Sequence, residues 1–98
     1  MQRAGITLDL DQRLVTSGGQ EIDLTPTEFE LLNVLMRNAG IVLSHRDLLN
    51  RVWGPEYQDE VEYVRVYIGR LRRKLELDPL KPELLLTERG VGYRFTRE

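Results

Sequence analysis

Short β-prone runs separated by turn residues occupy the N-terminal part of the chain. Residues 6–10 and 21–24 alternate between apolar and polar side chains, as half-buried strands do, and residues 14–16 form another short β-prone run. Gly18-Gly19 signals a tight turn between the second and third runs. The pattern therefore predicts a small antiparallel meander.

A strong helix start follows this meander. Thr25 is placed as the N-cap, Pro26 stands at the first helical position, and Glu28 completes a capping box. Apolar residues then recur at helical spacing, namely Phe29, Leu32, Val34, Leu35 and Met36. The predicted first helix ends at residues 38–40, where Asn-Ala-Gly is a typical C-terminal signal.

A second helix is predicted to begin after Ser44, whose side chain can cap it with Asp47 at the third helical position. Its apolar side consists of Leu48, Leu49, Val52 and Trp53. Gly54-Pro55 ends this helix, and residues 54–59 are predicted to form an exposed loop.

A third helix is predicted over residues 60–77, before Asp78-Pro79. Its buried stripe repeats every three or four residues through Val61, Val64, Ile68, Leu71 and Leu75. Residues 84–87 and 92–95 are β-prone and predict a hairpin with its turn at 88–91. The whole chain, residues 1–98, is therefore predicted to be one α+β domain. Its outline is a winged helix-turn-helix: an N-terminal antiparallel β-sheet, three helices and a C-terminal β-hairpin wing.

Charge is distributed unevenly along this outline. The 98 residues carry a net charge of -2, but residues 1–60 hold 5 Lys/Arg against 10 Asp/Glu (-5), and residues 61–98 hold 9 against 6 (+3). Binding to a polyanion depends on a local basic surface more than on the total charge. A nucleic-acid surface, if the chain has one, is expected in the C-terminal part.

The third helix carries the basic residues in a pattern that favours DNA recognition. Residues 65–74 include five basic side chains and no acidic one. On a helical projection, Val66, Arg70 and Arg73 lie opposite the buried stripe. Val66 can contact a thymine methyl group in the major groove, and Arg70 can bind guanine through two hydrogen bonds. Arg73 is placed for phosphates.

The flanks of this face add further candidates. Tyr63, Gly69 and Lys74 flank it; Lys74 is placed for phosphates, and Gly69 would allow a DNA backbone or base edge to approach closely. Arg65 and Arg72 lie nearer the buried stripe, so one of them is expected to pair with a carboxylate of the domain. A solvated charged face remains the alternative interpretation of the whole helix.

The hairpin and the second helix supply the remaining candidates. Arg89 lies at the predicted hairpin tip, where it can enter a narrow minor groove, and Thr87 and Tyr93 flank it with hydroxyl groups. Trp53 is predicted to pack in the core, with its indole N–H available for a phosphate. His45 is assigned no role.

Several classes of function are disfavoured by composition. The chain has no Cys and one His, and it lacks nucleotide-binding, zinc-protease and nucleophile-elbow motifs. We therefore expect no enzyme activity, no cofactor and no metal site. No apolar run approaches the roughly 20 residues of a membrane helix, and the N-terminus does not resemble a signal peptide.

Four segments together resemble the effector domain of OmpR/PhoB-type bacterial response regulators. They stand in the same order and spacing as in that family, and they cover nearly the whole chain: residues 24–32 (LTPTEFELL), 48–54 (LLNRVWG), 66–75 (VYIGRLRRKL) and 87–95 (TERGVGYRF). Residues 63–75, with Gly69 among them, are most similar to the potassium-transport-operon (Kdp) regulators within the family.

The resemblance implies an architecture and a set of partners. It implies a four-stranded N-terminal sheet and a cytoplasmic location in a bacterium. It also implies that the full regulator has a receiver domain, absent here, which a sensor kinase phosphorylates. It also implies a domain that is monomeric alone and dimerises on direct-repeat half-sites of promoter DNA, with RNA polymerase contacting residues 54–59. The same basic face could alternatively bind an acidic protein partner.

Some functional positions carry over from the family and others depart from it. The resemblance assigns DNA contacts to Trp53, Val66, Tyr67, Arg70, Arg72, Thr87, Arg89 and Tyr93. Glu62 and Gly69 stand where some members have arginine, and Arg65 stands where some have aspartate, so the base preference of those members does not transfer. The full candidate set is Trp53, Tyr63, Arg65, Val66, Tyr67, Gly69, Arg70, Arg72, Arg73, Lys74, Thr87, Arg89 and Tyr93.

Overall fold

The N-terminal meander forms a four-stranded antiparallel sheet in the computed structural model, which describes residues 1–97. The strands are β1 (Gln2–Arg3), β2 (Ile6–Asp9), β3 (Leu14–Ser17) and β4 (Gln20–Ile22), paired in that order. The three runs predicted from the pattern are β2, β3 and β4. The two residues of β1 are too few to show a period, and only the family resemblance implied a fourth strand.

Helix α1 (Pro26–Arg37) begins as its sequence predicts. Glu28 N–H donates to Thr25 Oγ1 at 3.2 Å, and Thr25 N–H donates to Glu28 Oε1 at 2.9 Å, so the capping box is complete. Asn38 follows the last helical residue, and its side-chain amide donates to the Val34 carbonyl at 2.7 Å. These local bonds fix both ends of the helix that supports the rest of the domain.

Helix α2 (His45–Val52) is also capped as predicted. Ser44 Oγ accepts a hydrogen bond from Asp47 N–H at 3.0 Å. Leu48 and Leu49 are fully buried. Residues 54–59 were predicted to form an exposed loop, and all of them except Gly54 are exposed. The segment also contains a short 3₁₀ helix, Pro55–Tyr57, which was not predicted.

Helix α3 spans Val61–Leu75, which is shorter than the predicted 60–77. Val64, Ile68, Leu71 and Leu75 form its buried stripe, whereas Val61 is only half-buried. Glu76 leaves the helix in an extended conformation (φ -81°, ψ 143°), because its carboxylate accepts hydrogen bonds from the backbone of residues 83–85. The predicted C-terminal boundary was wrong for this reason.

The predicted hairpin forms as β6 (Leu85–Glu88) and β7 (Gly92–Phe95), and a third strand joins it. This strand, β5 (Leu43–Ser44), pairs with β7 through Leu43–Tyr93 and Ser44–Gly92, giving the order β5-β7-β6. Gly92 permits this pairing, because a Cβ at that position would collide with the Leu43 carbonyl oxygen. The sequence did not predict β5.

The core lies between the helices and the two sheets. The largest fully buried side chains come from every layer: Ile6, Leu8, Leu31, Leu32, Leu35, Met36, Leu48, Leu49, Ile68, Leu71, Leu85 and Phe95. Helix α3 packs against both α1 and α2. The architecture is the predicted α+β winged helix-turn-helix, with α3 and the β6–β7 wing available on the surface.

Candidate nucleic-acid interface

The outer face of α3 combines an exposed apolar side chain with unpaired arginines. Val66 is 46% exposed, although it lies in the middle of an otherwise polar face. Arg70 and Arg73 are exposed, and within residues 1–97 no carboxylate forms an ion pair with either of them. This face therefore offers a methyl-sized apolar contact and two guanidinium groups to an external partner.

Arg70 is held in place by an aromatic ring. Its guanidinium carbon lies 4.7 Å from the centre of the Tyr67 ring, a cation–π contact that leaves the hydrogen-bond donors of the guanidinium free. Tyr67 in turn packs edge-on against Trp53 with ring centres 5.3 Å apart. The arginine predicted to contact guanine thus packs on a ring that is itself packed on Trp53, and it has no ion-pair partner among the described residues.

Trp53 connects α3 with the loop that follows α2. Its ring packs against the core and lies 6.1 Å from the Tyr63 ring, and Tyr63 lies 5.9 Å from the Tyr57 ring. The predicted packing role of Trp53 is confirmed, while the phosphate contact of its indole N–H stays a prediction. Tyr63, a flanking candidate, is 39% exposed beside it.

Two of the five basic residues in 65–74 have carboxylate partners outside that stretch. Arg65 Nη1 lies 2.9 Å from Glu62 Oε1, which confirms the expectation that Arg65 or Arg72 pairs with a carboxylate. Both side chains are well exposed, so this pair contributes little to stability. Arg65 can exchange Glu62 for a phosphate at small cost.

Lys74 is turned away from the outer face. Its Nζ lies 2.7 Å from Glu28 Oε1 and donates to the Asp23 carbonyl at 2.9 Å. The helical projection placed Lys74 on the flank of the exposed face, and the residue is exposed there, but its long side chain carries the ammonium to α1. A phosphate contact from Lys74 stays a prediction that now rests on its one remaining N–H.

The partner of Lys74 is a buried carboxylate. Burial alone raises the pKa of Glu28, but the hydrogen bond from Lys74, the bonds from Thr25 and the Lys74 charge together hold that pKa below its ordinary value of 4.5. Glu28 is therefore ionised at neutral pH. It joins the start of α1 to the C-terminal half of α3.

Arg72 faces the wing. Its Nε and Nη2 donate to the Leu85 carbonyl at 3.1 and 2.7 Å, and Nη2 also donates to Thr87 Oγ1 at 2.8 Å. The guanidinium lies 5.7 Å from the centre of the Tyr93 ring. Arg72 thus contacts two residues, Thr87 and Tyr93, that the sequence assigned separately to DNA, and its own DNA contact stays a prediction.

The wing presents Arg89 at its tip as predicted. Gly90 has φ +78°, a left-handed conformation that glycine adopts readily, and Val91 N–H closes the turn on the Glu88 carbonyl at 2.9 Å. Arg89 is exposed and has no ion pair within the described part of the chain. Thr87 is also exposed, whereas Tyr93 is buried, and the DNA contacts of both residues stay predictions.

His45 is a residue that the sequence did not point to. Its ring packs edge-on against Tyr93 with centres 5.3 Å apart, which places it beside the wing. Burial, and secondly the nearby Arg65 charge, lower its pKa below the ordinary 6.5. Only the tertiary fold brings residues 45, 65 and 93 together, so no local signal could have identified it.

Neither a metal site nor a membrane span is found in the part of the chain that is described. Within residues 1–97, no group of three or more His, Cys, Asp or Glu side chains could hold a metal ion. No helix in that range is both long and apolar enough to cross a membrane.

Sequence comparison with known proteins matches the chain to regulators of transcription. The family model "Transcriptional regulatory protein, C terminal" matches residues 19–95. The KDP operon transcriptional regulatory protein KdpE of Escherichia coli (strain K12) is 52% identical over 90 residues, which are 92% of this chain and 40% of that protein. The chain thus spans about 40% of the length of the curated relatives it matches.

Solved structures agree with the sequence matches. The DNA-binding domain of Klebsiella pneumoniae RstA, crystallised in complex with the RstA box, has a TM-score of 0.91 and 31% identity, covering 100% of this chain and 97% of that chain. DrrB of Thermotoga maritima, a response regulator and OmpR/PhoB homologue, has a TM-score of 0.79 and 34% identity, covering 98% of this chain and 43% of that chain.

These matches confirm the resemblance drawn from the four segments, including its similarity to the Kdp regulators. They also confirm that the chain is not an enzyme, since the family consists of transcriptional regulators. The chain belongs to the family of C-terminal domains of transcriptional regulatory proteins of the OmpR/PhoB type.

Proposed function

We propose that the chain is the sequence-specific, double-stranded DNA-binding output domain of a two-component response regulator. The observation that carries this proposal is the outer face of α3, where the exposed Val66 lies one helical turn from Arg70, which no carboxylate of residues 1–97 pairs with. An α-helix fits the major groove, in which valine can contact a thymine methyl group and arginine can bind guanine. The likeness to the RstA DNA-binding domain, which was crystallised in complex with the RstA box, supports DNA binding.

The wing supplies a second contact in this proposal. Arg89 enters the minor groove while α3 lies in the adjacent major groove, and the exposed Arg73 contacts a phosphate. Trp53 Nε1, Thr87 Oγ1 and the Tyr93 hydroxyl donate to phosphates that flank the two grooves. Base contacts then specify the site, and phosphate contacts fix the orientation of the domain on it.

The remaining partners are part of the same proposal, which the family resemblance supports. We propose a receiver domain controlled by a sensor kinase, a cytoplasmic location in a bacterium, and binding of two copies to direct-repeat half-sites. The exposed 3₁₀ helix at Pro55–Tyr57 supports a contact with RNA polymerase through residues 54–59. Sedimentation of the chain with and without DNA tests the dimer, because a tight dimer without DNA would contradict it.

Selection of bound duplexes from a random pool tests the function itself. We expect a few base pairs to be enriched over successive rounds, because Arg70 and Val66 read base edges. Recovery of unchanged random sequences, combined with tight binding to an acidic protein surface, would instead favour a winged helix that serves protein interaction.

Replacing Arg73 with alanine is expected to weaken binding to all duplexes alike. Arg73 is exposed and unpaired in the described chain, and a phosphate contact carries no sequence information. The slope of log affinity against log salt concentration should fall by about 1, because one fewer counterion is released. Fluorescence anisotropy with the selected and a shuffled duplex measures both slopes. A loss confined to the selected duplex would show that Arg73 reads bases.

Replacing Gly69 with alanine is expected to stabilise the fold while it weakens DNA binding. A Cβ at position 69 would meet no atom of residues 1–97 within 4 Å outside the backbone of its own helix, so packing within this range does not require glycine there. Because glycine within a helix is less favourable than alanine, the free energy of unfolding should rise by about 0.5–1 kcal/mol in urea denaturation. Unchanged affinity for the selected duplex would refute a close approach of DNA at this position.

A further inference from the structure

Glu76 is a buried carboxylate directly after the last residue of α3. Only 8% of the residue is exposed. Oε1 accepts hydrogen bonds from the backbone N–H groups of Glu83 and Leu84 at 2.9 and 3.1 Å, and Oε2 accepts from Leu84 and Leu85 at 2.9 and 2.8 Å. One side chain at the end of α3 thus binds three consecutive backbone groups at the start of the wing.

Arg72 lies one helical turn before Glu76 and contacts the same strand. Its guanidinium donates to the Leu85 carbonyl and to Thr87 Oγ1. The carboxylate therefore binds N–H groups and the guanidinium binds oxygen atoms, so the two side chains are complementary to successive parts of one strand. Bonds to charged groups are the stronger class of protein hydrogen bond.

The contacted strand has a free edge. Among residues 1–97, strand β6 pairs with β7 alone in the order β5-β7-β6, and its other edge is contacted by Arg72 of α3 through the Leu85 carbonyl. Buried backbone groups on such an edge need partners, which Glu76 and Arg72 provide. A neutral or apolar side chain at position 76 could cover this edge but could not accept all of these bonds.

We propose that Glu76, together with Arg72, is a positioning residue that sets the distance and angle between the reading helix α3 and the wing. This inference rests on the proposed DNA-binding function. DNA fixes the spacing between adjacent major and minor grooves, so Arg89 reaches the minor groove only when the wing is held in register with α3. Glu76 itself does not contact DNA; it makes the Arg89 contact available.

A double-mutant cycle between positions 76 and 89 tests the proposal on the whole chain with the selected duplex. The proteins are the unchanged chain, Glu76→Gln, Arg89→Ala and the double variant, with a parallel cycle in which Arg70→Ala replaces Arg89→Ala. Glu76→Gln keeps the shape of the side chain but sets an NH₂ group against backbone donors. Glu83→Gln is the matched control, because it removes an exposed negative charge from the same segment and breaks no side-chain hydrogen bond within residues 1–97.

The proposal expects the effect of Arg89→Ala to depend on Glu76 and the effect of Arg70→Ala not to. Arg89→Ala should weaken binding at least about fivefold in the unchanged chain and in Glu83→Gln, but less than about twofold in Glu76→Gln. Arg70→Ala should weaken binding equally in both backgrounds. A change in overall stability alone would not reduce the contribution of Arg89 to DNA affinity while leaving that of Arg70 unchanged.

Other outcomes overturn the proposal or the function beneath it. An equal effect of Arg89→Ala in both backgrounds overturns the positioning role while leaving DNA binding intact. No effect of Arg89→Ala even in the unchanged chain overturns the wing contact, and an unchanged chain that selects no duplex overturns the proposed function. If Glu76→Gln does not fold, Glu76→Asp replaces it in the same double-mutant cycle. It keeps both oxygen atoms on a shorter side chain, so it should reduce the Arg89→Ala effect only partly.

Discussion

Alanine in place of Arg70 is expected to weaken binding to the selected duplex by about 1–3 kcal/mol, or roughly 5- to 150-fold. Arg70 is exposed, rests on the Tyr67 ring and has no carboxylate partner within residues 1–97. Its loss therefore costs the domain no internal ion pair, and the effect should fall on DNA binding. Isothermal titration or anisotropy with the selected and a shuffled duplex measures the loss.

Arg37 provides a matched control for Arg70. It is an exposed arginine in the last turn of α1, without an ion pair in the described chain, and it lies on another helix. Arg37→Ala removes the same charge and should change affinity less than about twofold, because charges that contact no phosphate are largely screened. Equal losses for Arg70→Ala on the selected and shuffled duplexes would contradict a base contact.

Alanine in place of Lys74 is expected to lower the free energy of unfolding by about 2–4 kcal/mol at pH 7. The variant leaves the Glu28 carboxylate, 2% exposed, without its charged partner. The expected loss is below that of a fully buried pair, since the Lys74 side chain is 36% exposed and partly screened by solvent. Chemical denaturation of the unchanged chain and of the variant measures the difference.

The pH dependence of that difference identifies its cause. Because the pKa of Glu28 in the folded chain lies below 4.5, its stabilisation is complete above that pH and is lost as the pH falls through the folded value. In Lys74→Ala the buried carboxyl takes up a proton more readily. The two proteins should therefore differ most near pH 7 and approach each other in acid.

The neighbouring Arg73 is the matched control for this stability effect. It is exposed and unpaired in the described chain, so Arg73→Ala should change the free energy of unfolding by less than about 0.5 kcal/mol. If Lys74→Ala and Arg73→Ala destabilised the fold equally, the ion pair with Glu28 would contribute nothing of its own.

Features that depend on nearby residues could be predicted from the sequence. The Thr25–Glu28 capping box, the buried stripe of α3 and the hairpin turn at Gly90 all depend on residues within a few positions of each other. Each feature has a cause that involves only residues close together in the sequence: N–H capping, helical periodicity or glycine conformation. The winged-helix outline followed from the order of these segments.

Features that depend on distant residues could not be predicted in this way. Lys74 and Glu28 are 46 positions apart, and a helical projection shows where a side chain starts but not how far a long one reaches. The pairing of β5 with β7 and the end of α3 at Leu75 likewise depend on contacts that only folding creates. The DNA contacts themselves stay predictions, because they require the partner.

The affinity ratio between the selected duplex and a shuffled duplex of equal composition, measured across a range of salt concentrations, tests the central claim most directly. Because each mismatched base pair typically costs about 1–3 kcal/mol, the selected duplex should bind at least about a hundredfold more tightly. Both affinities should fall steeply as salt rises, since phosphate contacts release counterions. Equal affinity for the two duplexes, or binding that does not change with salt, would contradict the account.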